Sequence, residues 1–103
     1  MKYLVSWTYR LNGSAKENEE SLRRGLAVFA RWQPPAGVTY HQFLGRYDGS
    51  GGFAVVEGDN VADLAEGPGK FGFIADYQIY PVADIAEAVQ ALKDGVEFRD
   101  SIS

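Results

Sequence analysis

The sequence predicts an α+β fold in which four strands and three helices follow the order β-α-β-β-α-β-α. Three observations predict it. Four short segments rich in aromatic and β-branched residues alternate apolar with polar side chains, the period of a half-buried strand. Between them, apolar residues recur at helical spacing behind capping residues. The 103 residues are 46% apolar and 23% charged, which is one globular domain with core enough to need no covalent staple.

Lys2 to Tyr9 opens the chain as a strand, with Tyr3, Val5, Trp7 and Tyr9 on one face and Leu4, Ser6 and Thr8 on the other. Asn12-Gly13 breaks it. Ser14 followed by Glu17 has the spacing of a capping box, and Leu22, Leu26 and Phe29 then give a helix from about Ala15 to Trp32. Glu19, Glu20, Arg23 and Arg24 face outward. Gly25 lies inside this helix, where glycine costs about 1 kcal/mol of propensity, and is read as a close-packing point against a strand. Pro34-Pro35 stops the helix.

Val38 to Tyr47 and Gly52 to Glu57 form a hairpin around the turn Asp48-Gly49-Ser50-Gly51. Asn60 caps a short helix, Val61 to Glu66, ended by Gly67-Pro68. The segment Gly67 to Gly72 reads as an ordinary loop, because Lys70 lacks the spacing and the following Ser/Thr of a phosphate loop. Phe73 to Tyr80 is the fourth strand, closed by Pro81. Ile85, Val89 and Leu92 stripe a third helix ending at Gly95. The domain is expected over 1–95, with 96–103 as a C-terminal tail able to add an edge strand to a neighbour through Val96-Glu97-Phe98-Arg99.

This order is the ferredoxin-like split β-α-β pattern with one extra C-terminal helix. Right-handed crossovers place the antiparallel strands in the order 4-1-3-2, with two helices on one face. A four-residue turn pairs Tyr47 with Gly52. Gln42, Leu44 and Arg46 then share the uncovered face with Phe53, Val55 and Glu57, while Phe43, Gly45, Ala54 and Val56 lie under the helices. Asp76, Gln78 and Tyr80 join the uncovered face from strand four. A face this apolar is costly in water, and a second copy of the chain covers it most simply. A homodimer, or a higher oligomer, with a cavity between facing sheets is the expected assembly.

The start Met1-Lys2-Tyr3-Leu4-Val5-Ser6-Trp7 is too short and polar for a secretory signal, and no apolar run reaches the ~20 residues of a membrane span. With no cysteine and a single histidine, disulfides, thiolate chemistry and a multi-histidine metal site are excluded. A cytoplasmic protein without metal or cofactor is expected. The net charge of −4 disfavours nucleic acid. It is unevenly spread: residues 1–56 carry seven Lys/Arg and four Asp/Glu, residues 57–103 three and ten.

On the expected cavity face, Arg46 is the one cation and the main anchor for an acidic or phenolic ligand. Glu57, Gln42, Asp76, Gln78 and Tyr80 supply the other polar groups, and Leu44, Phe53 and Val55 the apolar ones. No catalytic residue is assigned. His41, the only side chain titrating near neutrality, is expected off this face and without an orienting partner. Trp7 and the tyrosines suit flat apolar ligands, although core packing is their commoner role.

The segments Lys2-Tyr3-Leu4-Val5-Ser6-Trp7, Leu44-Gly45-Arg46-Tyr47, Gly52-Phe53-Ala54-Val55-Val56-Glu57-Gly58-Asp59 and Tyr77-Gln78-Ile79-Tyr80-Pro81-Val82 resemble a bacterial family known only as domain of unknown function number 3303. The resemblance implies a dimeric α/β barrel and no assigned catalytic residues. Proteins of that architecture include cofactor-free monooxygenases and lactone isomerases, so a cofactor-free enzyme acting on an aromatic or polyketide-like compound is one reading. A small-molecule-binding homodimer is the broader expectation. The alternative from a different class is a non-catalytic interaction or assembly module with no ligand pocket.

Overall fold

Alternating side chains and helical stripes resolve into β1 (Lys2–Tyr9), α1 (Ala15–Arg31), β2 (Val38–Gly45), β3 (Gly51–Gly58), a 3₁₀ helix (Val61–Ala65), α2 (Glu66–Phe71), β4 (Ala75–Val82) and α3 (Ile85–Ile102) in a computed structural model that describes residues 1–102. The strands form one antiparallel sheet in the order β2-β3-β1-β4. This is the ferredoxin-like arrangement that the element order predicts. Among the described residues, no helix is long and apolar enough to cross a membrane.

α1 begins with the expected capping box: Glu17 N donates to Ser14 Oγ and Ser14 N donates to Glu17 Oε1, both at 3.2 Å. Each bond satisfies an amide that the first helical turn leaves unpaired. Gly25 is buried, and a Cβ there would lie 3.3 Å from Ile74 Cδ1. The helix therefore approaches the chain just before β4 closely at that one point.

Three elements differ from the expectation, each for a local reason. The segment 61–72 is a 3₁₀ turn running into α2 rather than a helix and a loop. Pro68 is tolerated because it sits in the first turn of α2, where amides have no intrahelical acceptor. β4 continues through Pro81 to Val82, since β4 is an edge strand paired only with β1 and one missing donor costs the ladder little. α3 passes Gly95 and continues to Ile102, so Val96-Glu97-Phe98-Arg99 is helical and offers no edge strand. Ser103, the last residue of the expected tail, lies outside the described residues.

The hairpin loop is Arg46–Ser50, and Gly45 pairs with Gly52. The register is displaced by two residues from the four-residue-turn expectation. An even displacement leaves every side chain on its own face, so the assignment of Gln42 to Gly45 stands. Beyond them a bulge at His41, between Tyr40 and Gln42, breaks the alternation. Tyr40 then lies opposite Val56 on the covered face, and His41 turns to the open one.

The packed core is small. Tyr3, Val5, Ala54 and Val56 form it, with Ile74 and Ala75 also buried. α3 takes no part: none of its residues is buried, and Ile85, Leu92 and Phe98 are 79%, 72% and 66% exposed. The radius of gyration is 18.1 Å and the longest extent 63 Å, against about 13 Å for a compact chain of this length. Lys2 Nζ bonds Asp84 Oδ1 at 2.8 Å and ties the root of this projecting helix to β1.

Candidate ligand-binding site

The covered face of the sheet carries Gly45, Gly52, Ala54 and Ala75. Side chains this small cannot fill the space beneath α1. A cavity of about 400 Å³ opens there, floored by Val5, Trp7, Tyr40, Phe43, Ala54 and Tyr77 and roofed by Leu22, Leu26 and Phe29. Trp32, Leu64, Pro68 and Phe71 also border it. The stripe of α1 faces this space rather than a packed core, which is why Leu26 and Phe29 are 69% and 50% exposed. Apolar side chains left wet in a concave site are the ordinary lining of a small-molecule pocket.

The rings are in mutual contact. Trp7 stacks on Tyr77 at 6.2 Å and meets Phe43 edge-on at 5.6 Å. Trp32 meets Tyr40, Phe43 and Phe71 at 5.8, 6.0 and 5.8 Å, steeply inclined to each. Gly52 permits the Trp7 position, because a Cβ there would collide with the indole and with the Leu44 carbonyl.

Few polar groups enter the cavity. Trp7 Nε1 donates to Tyr9 Oη at 3.4 Å and Trp32 Nε1 to Glu66 Oε2 at 2.8 Å. Burial, and then the negative charge of Glu66, raises the Tyr40 phenol above its usual value. Burial foremost, with Tyr40, Tyr9 and Glu66 adding to it, pushes Tyr77 up to about 12. Asp63 also borders the cavity, and among the described residues no Lys, Arg or His does.

The residues singled out from sequence lie mostly elsewhere. Gln42, Leu44, Phe53, Val55, Glu57, Asp76, Gln78 and Tyr80 share the open face, as the strand register requires. Leu44 alone also borders the cavity. Four of the polar ones are engaged locally: Asp76 with Arg10 at 2.6 Å, Tyr80 Oη with Gln78 Oε1 at 2.8 Å, Glu57 with His41 at 2.8 Å. Arg46 lies past the end of β2 and pairs with Asp48 at 2.5 Å. It is not the one cation of this face, since Lys2 sits directly across from Glu57. His41 is neither off the face nor unpartnered. The bulge aims it at Glu57, whose carboxyl the bond to His41 holds below its ordinary value.

Sequence reasoning passed over Phe29, Trp32, Phe43 and Phe71. A signal for them was present: aromatic residues on α1 set against glycine and alanine on the facing strands leave space between them.

Residues 1–96 match the model of a family described as Domain of unknown function (DUF3303). No curated protein matches the chain.

Proposed function

The chain belongs to the DUF3303 family, and from its pocket we propose that the protein binds a small, flat, largely apolar molecule of aromatic or polyketide-like character. The observation that carries this reading is the cavity of about 400 Å³ lined by contiguous rings. Small-molecule sites span roughly 300–1,000 Å³ and are chiefly apolar with a few placed polar groups. Rings give such a ligand contact area at little entropic cost, because each is fixed by two torsions.

Both tryptophans of the chain border the cavity, so intrinsic fluorescence reports occupancy directly. Titration with a panel of naphthalene-sized neutral aromatics should give a saturable change at one ligand per chain. Quenching that rises linearly without saturation for every compound would refute the reading.

The reading extends to a homodimer in the bacterial cytoplasm. Leu44 and Phe53 pair across the open face and are 50% and 38% exposed, a surface that a second copy would remove from water.

A second reading, an assembly module, is favoured by α3. Its residues Ile85, Val89, Leu92 and Val96 follow the four-three spacing of a coiled-coil seam, and none of them is buried. Most helical stability in proteins comes from tertiary packing, and a partner helix from a second copy would supply it to α3, none of whose residues is buried.

A further inference from the structure

We infer that the pocket selects organic cations, specifically aromatic ammonium compounds, over neutral and anionic molecules of the same shape. The inference rests on the proposed binding role and adds the ligand's charge. Its basis is the combination of ring geometry and carboxylates around one space. Tyr40, Phe43 and Phe71 stand at 78°, 69° and 78° to the plane of Trp32, with centroids 5.8–6.0 Å away. All four rings border the cavity. The face of each ring is the negative pole of its quadrupole, and tryptophan attracts a cation most strongly.

Charge at the border has the same sign. Asp63 borders the cavity, and Glu66 is held at its edge by the Trp32 indole. That bond occupies Glu66 Oε2, and an ionised carboxylate accepts several further hydrogen bonds. No positive side chain borders the cavity among the described residues, so nothing there compensates an anionic ligand, and desolvating one would be unfavourable. Burial foremost, with the charge of Glu66 among the further causes, raises the phenols of Tyr40 and Tyr77. A cation entering the cavity gains from the rings and the carboxylates together. A neutral molecule of equal shape gains only from burial.

The test is equilibrium dialysis of the full chain against three probes sharing a naphthalene ring. These are (2-naphthylmethyl)trimethylammonium, its neutral isostere with tert-butyl in place of trimethylammonium, and 2-naphthylacetate. The cation should bind at least tenfold tighter than the neutral isostere and the carboxylate weakest. Added salt should weaken the cation alone. Glu66→Gln, which keeps an acceptor for Trp32, should cut the ratio of cation to neutral affinity at least threefold. Asp63→Asn supplies the same comparison if Glu66→Gln disturbs folding. Equal binding of the isostere, or tighter binding of the carboxylate, overturns the cation assignment and leaves the pocket standing. Saturation by none of the three overturns both.

Discussion

The Trp32 indole donates to Glu66 Oε2 at 2.8 Å, and this bond joins the C-cap of α1 to the first residue of α2 across the border of the cavity. The same two elements also meet through Phe71, whose ring centroid lies 6.3 Å from that of Phe29 and 5.8 Å from that of Trp32. Trp32→Phe retains a ring and deletes the donor, leaving a half-buried carboxylate without it. The loss should be about 1 kcal/mol, which lowers the melting temperature of a domain this size by about 5 °C. Calorimetry checks it, and an unchanged melting temperature would show that the bond positions nothing.

Gly52→Ala should be more damaging. The added methyl meets the Trp7 indole on one side and the Leu44 carbonyl on the other, and the second cannot rotate away. Overpacking of this kind costs roughly 1–3 kcal/mol. The urea midpoint should fall and the Trp7 fluorescence should change with it. Stability equal to wild type would mean that the sheet accommodates the methyl and that Trp7 is not fixed by Gly52.

Much of the fold was legible because its determinants are local. Ser14 and Glu17 announce the start of α1, Pro34-Pro35 its end, and alternation over 2–9 and 52–57 the strands. Strand order then follows from handedness. The site was less legible. A single bulged residue reverses the faces of Tyr40 and His41, and a bulge has no compositional mark in this stretch. The cavity depends on what α1 fails to fill, a property of paired surfaces that no single segment carries. Gly95 misled in the other direction: glycine commonly ends helices, but within α3 it is simply spanned.

Acid should weaken the fold partly through Glu57. Its carboxyl is held below the ordinary 4.5 by the His41 bond, so the stability it adds is fully present above 4.5 and disappears as pH falls through the lowered value. The urea midpoint of wild type minus that of Glu57→Gln should shrink as pH falls below 4.5. Both groups are exposed, so added salt should reduce the difference. A difference that grows as pH falls below 4.5 would contradict the assignment.

α3 offers a test of assembly. Leu92 is 72% exposed in the chain, and Leu92→Glu should cost a monomer almost nothing. If α3 pairs with a second copy, sedimentation at micromolar concentration should give about twice 11.3 kDa for wild type and a shift toward the single-chain mass for Leu92→Glu. Wild type sedimenting at 11.3 kDa at all concentrations would remove the dimer and the assembly reading together.

The central claim, that ligand binds between α1 and the sheet, is tested most directly by nuclear magnetic resonance on nitrogen-15-labelled protein titrated with 2-naphthalenemethanol. Trp7 and Trp32 give two indole N–H signals from the cavity, and Gln42 and Gln78 give side-chain amide signals from the open face. Both indole signals should move saturably along one binding curve while both amides stay still. Amides that move while the indoles stay still would put the ligand on the opposite side of the sheet and contradict the account.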